Sequence, residues 1–465
     1  MNDVSLAARE PSATVRERWV LGLTSLGAVM VALDALVVAA ALTTIRRDLG
    51  ASAEQLEWAV NAYSLAFAML MVTAAVLGDR WGRRRTFAAG LAVFCAASAA
   101  CALAPSMPAL IAARAVQGAG AAVVMPLAMG LLAAGFPAHR RGRAIGLFSG
   151  LTGLAVLAGP VLGGAVTEGL AWQWIFWINV PVGVVALPLL VRWVPESTGP
   201  ARRLDPAGLA LLSLGVLGLV LGAVRGPSAG WGSPGVLGAL AAGALLLAGF
   251  AAWERRAPAP MVPPAYLRLR SFTAGNAAGL LLTAALYGAV FFNAQYMQLA
   301  FGSGPALAGL RLLPWTATLF LVAPVAGRLV DRIGERPLVV AGLALQAAGL
   351  LWIAAAGAAS YAAVVAPLAL AGCGVSMAMP AAQSASVGAL PAPAVGLASG
   401  IYSMMRQLGG VLGVAAGSAV FAAAGGYAAL GPAYGRAMAA CGVLSLLGAV
   451  AGLGIAARST AVETA

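Results

Sequence analysis

A helix that crosses a hydrocarbon core of about 30 Å needs roughly twenty apolar residues. Runs of that kind stand at 20–42, 58–78, 86–104, 109–133, 144–167, 174–195, 206–224, 235–253, 271–297, 307–327, 338–357, 362–383, 395–422 and 435–456. The pattern predicts fourteen transmembrane helices joined by short loops, an all-α polytopic membrane protein with no room for a large soluble domain. Composition agrees: 61% of the 465 residues are hydrophobic and 9% charged, with a mean hydropathy of +0.92. A soluble chain carries charge on about a quarter of its residues. Length alone would suggest about three soluble domains, but one polytopic bundle can use the whole chain.

The net charge of +13 would suit a nucleic-acid partner only if the basic residues formed a patch. Instead they lie singly or in short clusters between apolar runs, so no nucleic acid is expected. All 28 basic residues are arginine. With an even number of spans, twenty-one of them fall in loops on one side, from Arg16 and Arg18 through Arg140 to Arg458. Four, Arg46, Arg47, Arg225 and Arg436, fall on the other, and Arg114, Arg311 and Arg406 lie within or at the edge of spans. Positive loops stay inside, so both termini are expected in the cytoplasm, as a multi-pass protein of the inner (plasma) membrane. The first run lacks a cleavage site and reads as a span rather than a removed signal.

The chain also repeats. Leu77-Gly78-Asp79-Arg80-Trp81-Gly82-Arg83 follows the second span, and Leu329-Val330-Asp331-Arg332-Ile333-Gly334-Glu335-Arg336 follows the tenth. Two six-helix bundles, each with this loop after its second helix, leave two extra central helices between them. The expected organisation is a cytoplasmic segment 1–19, a bundle 20–195, the extra pair 196–256, a bundle 257–456 and a cytoplasmic tail 457–465. Parallel repeats of this kind mark secondary transporters, whose substrate site lies between the repeats near the bilayer midplane. Cys95, Cys101, Cys373 and Cys441 have no metal or disulfide spacing, and the single histidine, His139, excludes a multi-histidine metal site. No metal or cofactor is expected. Nor is nucleotide, since a chain without lysine holds no phosphate loop.

Four motifs give the chain a resemblance to the major facilitator superfamily, in its 14-span drug:proton antiporter branch, over nearly the whole length. The loop Asp79 to Arg85 resembles that family's motif A, with Ala75 in place of its first glycine; the second copy keeps Gly327. Arg114-Ala115-Val116-Gln117-Gly118-Ala119-Gly120 resembles motif B, which the family links to proton coupling. Gly150-x-x-Gly153 with Gly159-Pro160-Val161-Leu162-Gly163-Gly164 resembles motif C, which marks antiporters. Leu33-Asp34 and the stretch Trp172 to Gly183 resemble further segments of the 14-span branch. The resemblance implies a transporter rather than an enzyme.

Asp34 is the only carboxylate expected deep in a span, Glu57 and Glu168 falling at outer ends. Burial there disfavours its charged form, which makes it a candidate proton carrier. At about 1.5 Å per residue, Asp34 lies roughly 9 Å and Arg114 roughly 8 Å from the outer boundary of the core, so the two are expected to form a proton-sensitive couple. Pro160 is expected to kink the fifth span, with Gly153, Gly159, Gly163 and Gly164 allowing close helix contact that seals one end of a cavity. Asp79, Gly82, Arg83, Asp331, Arg332 and Gly334 are expected to gate the cytoplasmic side, Asp79 reaching the positive end of a helix such as the thirteenth span. Candidate cavity residues are Asn61, Tyr63, Gln117, Asn293, Gln295, Tyr296, Trp315, Tyr402, Met405, Arg406 and Gln407. The expected function is proton-coupled export of a small hydrophobic or amphipathic compound, drug or natural product, by a monomer in the lipid bilayer. Two alternatives stand beside it: a proton-coupled metabolite importer of the same fold, and an uncoupled lipid- or ligand-handling protein.

Overall fold

In the computed structural model, residues 15–198, 205–257, 260, 263–356, 360–390 and 395–457 are described. They form helices and short connections. In chain order these are α1 Val15–Leu49, α2 Ala53–Trp81, α3 Arg83–Ala102, α4 Met107–Gly135, α5 Ala138–Gly169, α6 Trp174–Trp177, α7 Asn179–Trp193, α8 Pro206–Ala229 and α9 Pro234–Glu254. Then come α10 Pro264–Leu267, α11 Arg270–Leu299, α12 Pro305–Arg311, α13 Leu313–Thr316, α14 Thr318–Ile333, α15 Glu335–Ala356, α16 Tyr361–Gly388, α17 Val395–Ala423 and α18 Leu430–Gly452. In hydrocarbon every backbone polar group must be satisfied within the chain, which long helices do by themselves. Among the described residues, twelve helices or helix stacks are long and apolar enough to cross a membrane. The number is thirteen if α2, bent at a break between residues 71 and 73, is one span. The remaining apolar run of the fourteen lies on α5, helical over 32 residues. Two of the spans are broken where a single helix was expected: α6 and α7 share one, and α12, α13 and α14 another.

Helices α1 to α7 pack on one another, as do α11 to α18, while α8 and α9 pair separately. Glycine sets how closely they approach. A Cβ on Gly120 of α4 would stand 2.9 Å from the Gly90 carbonyl of α3. In the second half, a Cβ on Gly342 of α15 would stand 2.6 Å from the Gly374 carbonyl of α16. The loop repeat seen in the sequence is thus accompanied by a repeated small-residue crossing. The α8/α9 pair is built the same way, Gly243 facing the Gly215 carbonyl at 2.8 Å. Through Leu212, Val216, Val220 and Val224, α8 lies against both Leu65 and Ala68 of α2 and Leu408 and Val411 of α17. The α8/α9 pair therefore covers a seam between α2 and α17.

Candidate functional site

A polar cluster sits inside the first half. Arg114 of α4 pairs through Nη1 with Asp34 Oδ2 of α1, and both side chains are 1% exposed. Gln117, one turn on from Arg114, donates from Nε2 to Asp34 Oδ1 at 2.8 Å and to Ser98 Oγ of α3 at 2.7 Å. Its Oε1 accepts from Arg114 Nη1 at 2.6 Å. Asn179, first residue of α7, donates to Asp34 Oδ1 at 3.5 Å and to Ser98 Oγ at 3.3 Å. Arg114 also donates from Nε to the Ala59 carbonyl at 3.1 Å and lies over the Tyr63 ring, 4.2 Å from its centroid. Tyr63 itself donates to the Val31 carbonyl at 3.2 Å. A buried ion pair repays its desolvation only when further hydrogen bonds satisfy the remaining atoms, and this one has them on both partners. Gly118 lets it form: a Cβ there would stand 2.2 Å from the Tyr63 carbonyl, so glycine is what lets α4 reach α2.

The expected couple is thus in contact, whereas Gln117, expected to line a cavity, is sealed within the cluster. Ser98 and Asn179 were not among the expected residues, although Asn179 stands in the Trp172 to Gly183 stretch and Ser98 is polar in an apolar run.

The two ends of the bundle differ. Hydrogen bonds between the halves stand at the arginine-poor end. Thr43 Oγ1 bonds Gln298 Oε1, Gln298 Nε2 donates to the Ala40 carbonyl at 3.0 Å, and the Ala306 amide donates to Glu168 Oε2 at 2.9 Å. Arg46 lies over the Tyr427 ring at 3.8 Å. Two of the expected motif C glycines allow close approach here, Gly163 within the first half and Gly164 between the halves. A Cβ on Gly163 would stand 2.8 Å from the Val37 carbonyl of α1, and one on Gly164 would stand 2.1 Å from the Pro305 carbonyl of α12. Gly159 faces Leu36, with 3.1 Å left for a Cβ. Gly150, Gly153 and Pro160 belong to α5, but their surroundings, and with them the expected kink, lie outside the described residues. Glu57, expected at the outer end of a span, is buried there, facing Ser418 of α17, and its Oε2 lacks a hydrogen-bond partner.

At the arginine-rich end, Gly82 and Gly334 turn the chain with φ of 101° and 84°, a region that favours glycine. Asp79 pairs with the arginine four residues on, and the start of the thirteenth span, its expected partner, lies outside the described side chains. Asp79 accepts from Arg83 Nε at 2.8 Å and Nη2 at 2.7 Å, and Arg83 also donates to the Gly130 carbonyl at 3.4 Å. Glu196, which follows α7, caps the start of α3 by accepting from the Arg84 amide at 2.9 Å. A Cβ on Gly82 would stand 2.7 Å from that carboxyl carbon, a second reason for glycine there. In the second loop Arg332 is exposed, and the Asp331 side chain lies outside the described residues.

The expected cavity residues of the second half divide. Gln295 accepts from the Tyr427 hydroxyl at 2.5 Å, Asn293 accepts from Tyr434 at 2.8 Å, and Tyr296 stacks on Tyr434 at 3.9 Å. Trp315 is buried, and Tyr402 is buried with its hydroxyl on the Met379 carbonyl at 3.3 Å. Met405 and Gln407 are half-buried, and so is Arg406, whose side chain donates no hydrogen bond to any described residue. Asn61 is fully buried and neither amide atom has a partner. No group of three or more metal-ligating side chains occurs among the described residues.

The family model described as "Major Facilitator Superfamily" matches residues 24–292 and 277–463. The chain belongs to the major facilitator superfamily. Within it, the chain is 37% identical over 402 residues to the Multidrug resistance protein Stp of Mycobacterium tuberculosis, covering 86% of this chain and 75% of the relative. It is 36% identical over 419 residues to the Tetracenomycin C resistance and export protein of Streptomyces glaucescens, covering 89% and 78%. To the Cephamycin export protein CmcT of Amycolatopsis lactamdurans it is 36% identical, covering 83% and 81%. Among solved structures, an inward-facing and occupied bacterial homolog of the human lysosomal transporter Spinster superposes with a TM-score of 0.70 at 15% identity, over 95% of this chain and 97% of that one. That likeness shows the shared fold.

Proposed function

We propose that this protein is a proton-coupled antiporter that exports a small hydrophobic or amphipathic compound by alternating access. Three relatives named for drug resistance or export support the direction of transport. The observation that carries the mechanism is the Asp34–Arg114 pair, a deep carboxylate whose only cationic partner is held independently. Protonating Asp34 breaks the pair without orphaning Arg114, because Ala59, Gln117 and the Tyr63 ring keep it. The N-terminal half can therefore change protonation at modest cost, which a static salt bridge could not.

The arginine-rich loops are cytoplasmic in this reading, on the twenty-one to four bias, with both termini inside. Taking α2 and α5 as spans gives fourteen, with halves 20–195 and 257–456 and the extra pair 196–256 between them. The closed arginine-poor end is then the outer seal, and the conformation faces inward. A proton arriving from outside neutralises Asp34. In the inward-facing state it leaves, Asp34 re-forms its bond with Arg114, and substrate enters from the cytoplasm. The electrical part of the driving force is about 2.3 kcal/mol per proton per 100 mV. The Asp79–Arg83 pair belongs to this state, and the loops Asp79–Arg83 and Asp331–Gly334 engage the opposite half when the cytoplasmic side closes.

Asp34→Asn tests the reading. In everted vesicles with an inside-acid gradient, wild type is expected to accumulate substrate and the variant, present in the membrane at equal amount, is expected to lose that accumulation. Undiminished accumulation by the variant removes Asp34 from coupling. Accumulation only when the gradient is reversed selects the importer, and movement indifferent to the gradient selects the uncoupled reading.

A further inference from the structure

Arg406 lies eleven residues into α17, about 16 Å from its start at 1.5 Å per residue, close to mid-depth of the bilayer. A guanidinium at that depth needs a partner. Arg114 has Asp34, but Arg406 has none: its Nε is buried without an acceptor, and no carboxylate pairs with it among the described residues. Asp34, Asp79 and Glu335 are engaged by Arg114, Arg83 and Ser384 respectively. The backbone beneath it is fixed, since Thr283 of α11 donates to the Arg406 carbonyl at 2.8 Å.

Two tyrosines stand a helical turn away on either side: Tyr402 four residues before Arg406 on α17, and Tyr287 of α11, whose ring lies on Gly410 four residues after it. Gly410 holds α17 close under the Tyr287 ring, 3.2 Å being left for a Cβ. One arginine is neutralised by the chain and the other is not. A pocket whose fixed polar group is an unpaired cation beside half-buried aromatic surface selects a ligand bearing the opposite charge and a ring.

We propose that Arg406 is an anion-binding subsite of the transport cavity, receiving the carboxylate, sulfonate or phenolate of an aromatic substrate whose ring lies against Tyr287. This rests on the exporter reading for its purpose but not for its test, because binding needs no gradient. Recognition of substrate by Arg406 would also keep it separate from the proton on Asp34, letting one half read the cargo and the other the coupling ion.

The experiment uses full-length protein in nanodiscs and two probes of one skeleton, 8-anilinonaphthalene-1-sulfonate and uncharged N-phenyl-1-naphthylamine, with empty discs subtracted. A charge-assisted hydrogen bond worth about 1.5–3 kcal/mol corresponds to about tenfold or more in affinity. Wild type is expected to bind the sulfonate at least about tenfold more tightly than the neutral probe. Arg406→Gln should erase that preference while leaving the neutral probe bound, which also reports a folded protein. Should that variant not fold, Arg406→Lys keeps the charge but loses the planar fork, and 1-naphthoate should still displace the sulfonate from wild type where 1-naphthamide does not. Absence of any preference in wild type, or a preference that survives Arg406→Gln, overturns the subsite. Proton-driven export without the preference overturns the subsite alone, and the preference without such export overturns the exporter reading alone.

Discussion

Arg114 is the residue on which most of the first half's polar chemistry converges, and its loss should be felt in stability as well as transport. Removing one member of a buried pair leaves an uncompensated charge at a cost of about 3–5 kcal/mol. Arg114→Ala is therefore expected to lower the melting temperature in detergent sharply, and adding Asp34→Asn to it should recover a substantial part of the loss. If the double variant melts no higher than the single, the pair is not the source of the destabilisation. Gln117 bonds Asp34, Arg114 and Ser98 at once. Gln117→Leu should thus cost about 1–3 kcal/mol through the orphaned partners, read by the same melt. Motif resemblance made Arg114 and Asp34 legible from sequence, since intramembrane charges are few. Their ligands were not legible, because Ser98 and Asn179 are ordinary polar residues until four helices converge on one carboxylate.

For helices, contact distance is the controlling quantity, and glycine controls it. The Cβ of Gly164→Ala would stand 2.1 Å from the Pro305 carbonyl, so α5 and α12 must separate where the halves are sealed. Forcing a methyl into such a contact costs about 1–3 kcal/mol, and here it falls only on the closed seal. The expected outcome is a shift toward the conformation open at the arginine-poor end, seen as faster thiol labelling of a cysteine placed at Gln298. Gly238→Ala on α9, with nothing within 4 Å of the added carbon, is the control and should leave labelling unchanged. Equal labelling in both would separate Gly164 from the seal. The sequence marked these glycines as a set, but among 59 glycines it offered no means of telling that Gly163 meets α1 while Gly164 meets α12.

Across the whole molecule, export by alternating access requires the Thr43–Gln298 contact to break in every cycle. In a background freed of Cys95, Cys101, Cys373 and Cys441, a short bifunctional thiol reagent bridging Thr43→Cys and Gln298→Cys is expected to abolish export, and a reducible reagent should allow its recovery. Full export by the bridged protein would mean the halves do not separate there. Helix α8 lies across α2 and α17, a position that its plain apolar sequence did not announce.

The length of the apolar runs was enough to specify the helical class, and the motif resemblance with helix depth pointed to Asp34 and Arg114, because each is a local property read along one dimension. What tertiary structure alone decided is which polar atoms are left without a partner and which end is shut. Glu57 became a buried acid, Gln117 a ligand of the ion pair and Arg406 an unpaired cation only once residues tens to hundreds of positions apart were brought together. Hydrogen bonding and steric exclusion act at such contacts and carry no trace in the order of the chain.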